Sequence, residues 1–302
     1  MEFLYFLERI RIPILNEFML MITQFGEETV FLVVALILFW CIDKYKGYYI
    51  LSVGFVGTVA NQFMKLWFRI PRPWVLDENF TILEQAREAA AGYSFPSGHT
   101  QSAVGTFGSI AYTTKNRWIR LAAILIAVLV PFSRMYIGVH TPLDVLVAVA
   151  IAVVLIIALR PVVLGNRKKN VMILLCVMTA MAIGFLCFVE FYGFPADIDS
   201  HNLASGLKNA YTLLGSLSGL IVVYILDEKW LKFSVKAVWW AQILKVVIGL
   251  GIVLIIKSGL KEPLNLLLGE SFGRAARYFL MVLTAGCIWP ATFKWFAKLG
   301  TR

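Results

Sequence analysis

The 302-residue chain is 60% hydrophobic and only 15% charged, with a formal charge of +10. That composition is too apolar for a soluble domain and rich enough for a helical membrane bundle. The surplus of lysine and arginine gathers in short turns between apolar runs, where membrane topology accounts for it, and no long solvated basic face is left to follow a nucleic-acid backbone.

Residues 1–17 mix acidic side chains with Arg9, Arg11 and Pro13 and lack the basic leader and small-residue cleavage site of a signal peptide, so an interfacial amphipathic helix is expected there. Apolar runs of membrane length follow, about nine of them. The first covers residues 18–42, with Gly26-Glu27-Glu28 as a point where it can divide. The second, 48–68, carries Asn61, Gln62 and Lys65 on its last turns, a polar end that points to an aqueous cavity.

Residues 69–95 form a long charged loop in which Pro71 and Pro73 hold the chain extended around Arg72. Ser97 reads as the N-cap of a third span, with Gly98 and His99 in its first turn. A fourth span ends near Tyr136. Thr141-Pro142-Leu143-Asp144 opens a fifth with a threonine cap, proline at the first helical position and a carboxylate beyond it. Four more are expected at 171–191, 209–226, 235–256 and 275–296. The prediction is thus an all-α polytopic bundle of one membrane domain: a core over residues 1–160 and additional C-terminal helices over 161–302. Cys41, Cys176, Cys187 and Cys287 fall inside apolar runs and read as small core residues, neither disulfides nor metal ligands. His201 reads as a loop residue, and Lys245 as a packing or snorkelling lysine within the eighth span.

Charge sets the orientation. Alternate turns carry Lys44/Lys46, Lys115/Arg117/Arg120, Arg160/Arg167/Lys168/Lys169 and Lys229/Lys232/Lys236, and the C-terminus carries Lys294, Lys298 and Arg302. The positive-inside rule makes these cytoplasmic. The turns holding Arg72 and His140 are then external, as is the acidic turn with Glu190, Asp197 and Asp199. A localisation in the cell membrane follows, with the site on the extracytoplasmic side.

The residues gathered there suit phosphate chemistry. Lys65, Arg72 and Arg134 offer positive charge for equatorial phosphate oxygens, Arg as a fork and Lys as a point charge. Ser97 and the backbone amides of Gly98 and His99 add donors at a helix N-terminus. Asp144 lies one helical turn beyond His140, where it can hold Nδ1–H and leave Nε2 free to attack. His140 is therefore the nucleophile, and His99 protonates the leaving oxygen and then activates water. The cations stand in for a metal, and no cofactor is expected. Singly, Asp144 would be a cap for Thr141, Lys65 an interfacial lysine and Ser97 an ordinary N-cap; their joint placement on one side is what the separate readings leave unexplained.

Lys65 with Arg72-Pro73, Pro96-Ser97-Gly98-His99, and Ser133-Arg134 with His140 and Asp144 resemble, in order and spacing, the three signature motifs of the type 2 phosphatidic acid phosphatase (PAP2) superfamily. The resemblance covers roughly Lys65 to Asp144 and implies a membrane phosphatase working through a phosphohistidine, with a lipid phosphomonoester or diphosphate as substrate and partner. Isoprenyl diphosphate, phosphatidate and phosphatidylglycerol phosphate are the candidates. Two alternatives stand beside it: a glucose-6-phosphatase-like enzyme of small soluble phosphates, and a catalytically inactive lipid-binding or transport protein. The sequence leaves the oligomeric state open.

Overall fold

The computed structural model describes residues 1–87, 90, 92–165, 168–196 and 198–299. Arg167, Asp197 and Arg302, used above for topology, lie outside the described residues. Among those described, 82% are helical and none is in a strand, as the apolar runs require.

Near the N-terminus, α1 (Glu2–Arg9) buries Leu4 and Leu7 and exposes Phe3 and Phe6. It ends before Pro13, which opens α2 (Pro13–Thr23) at a position where its missing N–H costs nothing. The amphipathic start is therefore two helices rather than one. A 3₁₀ turn at Gln24–Gly26 leads into α3 (Glu28–Ile37), and the two halves of the expected first span meet at 56°. A π turn at Leu38–Ile42 precedes α4 (Lys44–Phe68). The long loop holds a short α5 (Pro73–Leu76) and a 3₁₀ turn at Glu84–Ala86. Then come α6 (Gly98–Thr113), α7 (Arg117–Tyr136), α8 (Pro142–Leu164) and α9 (Lys168–Phe191). The last third comprises α10 (Ser200–Leu226), α11 (Trp239–Gly259), α12 (Lys261–Leu283), α13 (Trp289–Ala291) and α14 (Phe293–Phe296).

Five helices among the described residues are long and apolar enough to cross a membrane, α7 to α11, or six if the bent pair at residues 13–42 counts as one span. The expected nine is not reached on that measure, for reasons visible in each shortfall. Sixteen residues of α6 extend about 24 Å at roughly 1.5 Å per residue, short of a hydrocarbon core about 30 Å thick. In α4 the run is diluted by Asn61, Gln62 and Lys65. In α12 it is interrupted by Glu270, Arg274 and Arg277 and broken at Gly269, whose φ is +77°. His201 lies in the first turn of α10 rather than in a loop. Cys176 and Cys187 are free and exposed, so only Cys287 behaves as the buried core residue expected of all four.

The chain forms two compact units. The first comprises residues 1–32, 53–159 and 195–205. Here Ile22, Ala103, Phe107, Ala123 and Val130 join α2, α6 and α7, while Met19, Tyr136, Ile137 and Val139 pack with Ala86 and Ala90 of the long loop. Side chains such as Leu121, Leu125 and Val128 of α7 point outward, as lipid-facing residues do. The same loop is tied to the N-terminal helices: Tyr5 Oη donates to Asp77 Oδ2 at 2.8 Å, Thr81 N to Glu8 Oε1 at 3.0 Å, and Arg11 Nη1 to the Thr81 carbonyl at 2.8 Å. Gly138, at φ +89°, leaves room for this arrangement, because a Cβ there would lie 2.8 Å from Arg11 Nη2 and 3.0 Å from the Phe80 ring.

The second unit comprises residues 33–52, 160–194 and 206–302. Its buried Asp227 pairs with Lys44 at 2.6 Å, and Glu228 takes a hydrogen bond from Tyr45 Oη at 2.6 Å and an ion pair from Lys168. Lys245 is fully buried: its Nζ donates to Gln242 Oε1 at 2.9 Å and the Val235 carbonyl at 3.1 Å, and sits 4.2 Å above the Phe293 ring. It is a packing lysine with every partner supplied by its own unit.

Candidate active site

The three sequence clusters converge within the first unit. Arg72, set in extended backbone before Pro73, turns its guanidinium inward. Its Nε donates to the Gly92 carbonyl at 2.8 Å and Nη1 to the Val139 carbonyl at 2.9 Å. Nη1 also lies 3.0 Å from His140 Nε2. Because a guanidinium can only donate, Nε2 is the accepting nitrogen and the imidazole proton belongs on Nδ1.

Nδ1 faces Ser94 Oγ at 3.4 Å and Asp144 Oδ2 at 3.5 Å. Ser94 Oγ in turn donates to the same Oδ2 at 2.5 Å. Both separations are long for a hydrogen bond, so Nδ1 faces a Ser94–Asp144 pair that is itself tightly joined. Asp144 serves its helix as well: Oδ2 accepts from Thr141 N at 2.7 Å while Thr141 Oγ1 accepts from Asp144 N at 3.3 Å, a reciprocal cap. One carboxylate thus fixes the start of α8 and the imidazole beside it. His140 and Asp144 are both 1% exposed. Burial, then the Arg72 guanidinium, push the His140 imidazole well below its ordinary range, so it is neutral, with its Nε2 lone pair held by Arg72 until that guanidinium turns to another acceptor.

Ser97 caps α6, accepting from Thr100 N at 3.4 Å, and its own amide donates to the Asp144 carbonyl at 3.1 Å, which couples the starts of α6 and α8. The next two amides, Gly98 and His99, are the orphan donors every helix start presents. Asn61 Nδ2 on α4 donates to the Pro96 carbonyl at 3.2 Å and Lys65 Nζ to the Tyr93 carbonyl at 2.6 Å, holding the strap that carries Ser94. Arg134, 1% exposed, donates from Nη1 to Thr23 Oγ1 at 2.7 Å and leaves Nε unpaired. His99 lies within Coulombic range of Arg134, Arg72 and Lys65, and of His140.

All eight residues singled out in the sequence, Lys65, Arg72, Ser97, Gly98, His99, Arg134, His140 and Asp144, are therefore brought to one place. Sequence reasoning missed Ser94 and Thr23, and marked Asn61 only as part of a polar helix end. Ser94 sits two residues before Pro96, close enough to the motif to have drawn notice; Thr23 carried no signal. Among the described residues no group of three or more His, Cys, Asp or Glu side chains gathers as the ligands of an ion would.

A helical membrane protein with one buried and one half-buried imidazole among three cations and a helix N-terminus has the chemistry to hold an oxyanion. Comparison with known families agrees. The PAP2 superfamily matches residues 45–168, and the PAP2 superfamily phosphatase transmembrane extension matches residues 211–302. The chain belongs to the PAP2 superfamily. An undecaprenyl-diphosphatase of Bacillus subtilis is 35% identical over 102 residues, 34% of this chain and 50% of that protein. An undecaprenyl-diphosphatase of Sulfolobus acidocaldarius is 31% identical over 137 residues, 45% of this chain and 65% of that protein. Phosphatidylglycerophosphatase B of Bacillus subtilis is 32% identical over 150 residues, 45% of this chain and 70% of that protein. The first two matches thus span half to about two-thirds of those relatives' length. No solved structure matches the chain significantly.

Proposed function

We propose that this chain is a membrane phosphatase that removes phosphate from a lipid phosphomonoester or diphosphate through a phosphohistidine at His140. The observation that carries the reading is the locked imidazole: Nε2 faces the Arg72 guanidinium at 3.0 Å while Nδ1 is turned to Ser94 and Asp144. Relatives named as lipid phosphatases and diphosphatases support the same class.

In the first step Nε2 of neutral His140 forms a bond to phosphorus as the bond to the leaving oxygen breaks, and His99, which takes up a proton once a bound phosphate offsets the cations beside it, gives that oxygen its proton. In the second, neutral His99 takes a proton from water, the hydroxide attacks phosphorus, and the N–P bond breaks to release phosphate and restore His140. Lys65, Arg72 and Arg134 outnumber the carboxylates that act on them, Asp144 and, at Arg134, Glu27, and leave a positive balance that suits a phosphate. The free amides of Gly98 and His99 serve the oxygens with neutral donors. No step needs a metal. The pattern of cationic turns supports a site on the extracytoplasmic face.

Purified protein given a panel of lipid phosphates, prenyl diphosphates and soluble sugar phosphates in EDTA should release phosphate from the lipids, and acid-labile label should be trapped on His140. Label on any other residue sinks the assignment, and preference for the sugar phosphates favours the soluble-phosphate enzyme. Sidedness is tested with single cysteines in a background lacking the four native ones. A cysteine at Asp77 should react with an impermeant thiol reagent in intact cells, and one at Asn116 only after the membrane is opened. The reverse pattern would move the site to the inner leaflet.

A further inference from the structure

The turn between α2 and α3 reaches the site from outside the part of the chain that the PAP2 superfamily matches, which begins at residue 45. Residues 23–27 form the corner where the two helices meet at 56°, and that corner is firmly seated. Ile22 packs with Ala103 and Val130, and the Phe25 and Phe107 rings meet edge to face with centroids 6.2 Å apart. Gly26 is buried against His99: a Cβ there would lie 2.8 Å from both the His99 Cβ and the His99 carbonyl oxygen. Only glycine admits so close an approach.

From this seat two side chains act on Arg134. Thr23, 8% exposed, accepts from Arg134 Nη1 at 2.7 Å through Oγ1, while Arg134 Nε stays unpaired. Glu27, four residues on, is exposed and lies within Coulombic range of the same guanidinium. The two contacts have different physical consequences. A guanidinium has to stand in one plane to meet two phosphate oxygens, and the Thr23 oxygen fixes one end of it while leaving Nε to the ligand. A carboxylate at longer range sets no plane; it lowers the positive potential that draws phosphate in and holds it there.

We propose that this turn tunes the grip of Arg134 on phosphate: Thr23 aims the guanidinium, and Glu27 tempers its charge so that inorganic phosphate leaves after hydrolysis. Neither residue touches substrate, and each acts through Arg134. The inference rests on the phosphatase reading for the identity of the oxyanion and for the product that has to leave. Two rival roles give different outcomes. A bond that only ties α2 to α7 would matter to folding and leave phosphate affinity alone. A Glu27 that holds Arg134 in place would strengthen phosphate binding instead of weakening it.

The test uses the full-length protein in detergent, with chloride exchanged for inorganic phosphate at constant ionic strength. The rise of melting temperature with phosphate gives Kd, and the value without phosphate reports the fold. Release from a lipid monophosphate is measured beside it. Thr23→Val keeps the shape and loses the oxygen, so Kd should rise about tenfold and kcat/KM fall by a similar factor, the scale of a hydrogen bond to a charged group. Thr23→Ser should bring both back to within about twofold of the wild type, because the oxygen returns. Glu27→Gln should act in the opposite direction, lowering Kd by about threefold, an effect that fades as salt is raised. Opposite signs from two residues of one turn are what a purely structural corner does not produce. An unchanged Kd in Thr23→Val, no rescue in Thr23→Ser, a Kd that rises or holds in Glu27→Gln, or a wild type that binds no phosphate overturns the proposal. A wild type that releases no phosphate, with the Kd values moving as expected, removes the phosphatase reading and leaves the turn's control of an oxyanion standing. Should Thr23→Val fail to fold, the sign of the Glu27→Gln change decides by itself.

Discussion

The two units bury positive charge in opposite ways. In the second, Lys44 reaches the fully buried Asp227 at 2.6 Å, and Lys245 is wrapped by an amide oxygen, a backbone carbonyl and an aromatic ring. In the first, Lys65 and Arg134 form no ion pair with a carboxylate among the described residues, and Arg134 leaves one nitrogen unpaired. Charge taken out of water without a partner costs several kcal/mol by the usual order of magnitude, so the second unit resembles a finished structure and the first a structure completed by its ligand. The difference separates cations that hold the fold from cations that hold phosphate. Removing one of each kind should therefore have opposite consequences.

The largest expected effect is on activity. Arg134→Met replaces an unpaired buried cation with an apolar chain of similar length, so phosphate release should fall by about 10³-fold, the scale seen when an electrostatic stabiliser of a transition state is lost. The melting temperature should hold or rise, because the cost of burying the charge goes with it. Thermal unfolding in detergent beside the release assay checks both. A variant that loses stability and activity together would show that Arg134 is a structural cation like Lys44.

Next in size is the converse change. Asp227→Asn leaves Lys44 buried without its counter-charge, and breaking such a pair should cost about 3 kcal/mol of stability, discounted to roughly 2 because Lys44 remains partly exposed. Activity per folded molecule should stay within about twofold, since no atom of Asp227 belongs to the site. A fall in activity of the folded fraction would mean that the contrast between the units is wrong.

How much of this was legible beforehand follows from where each signal lies. Arg72-Pro73, Pro96-Ser97-Gly98-His99 and Thr141-Pro142-Leu143-Asp144 announce themselves because a helix start and a reactive group occupy the same few residues. Alternating apolar runs and basic turns gave an all-helical membrane chain for the same local reason. Contacts across long separations did not show. Thr23 and Arg134 are 111 residues apart and Arg11 and Tyr136 are 125 apart, and neither threonine nor arginine at those places carries a local mark of its partner. The break at Gln24–Gly26 falls where Gly26-Glu27-Glu28 marks a point of division in the first run, so the sequence shows its place and only the angle of 56° comes from the structure.

The smallest effect expected is the most discriminating within the first unit, and it concerns Ser94, which positions His140 through Asp144 without touching substrate. Its Oγ donates to Asp144 Oδ2 at 2.5 Å and lies 3.4 Å from His140 Nδ1, while the direct path from Nδ1 to Oδ2 is 3.5 Å. Ser94→Ala removes the bridge but leaves Asp144 its bond from Thr141 N. One hydrogen bond to a charged group is worth about 1.5 kcal/mol at the low end, which corresponds to roughly tenfold in rate. The loss should appear in kcat with KM nearly unchanged, because the phosphate-binding cations are untouched, and the yield of trapped phosphohistidine should fall in step. A normal kcat would mean that Asp144 orients the imidazole by itself at the longer distance. A rise in KM alone would mean that the Ser94 hydroxyl serves substrate binding and does not position the imidazole.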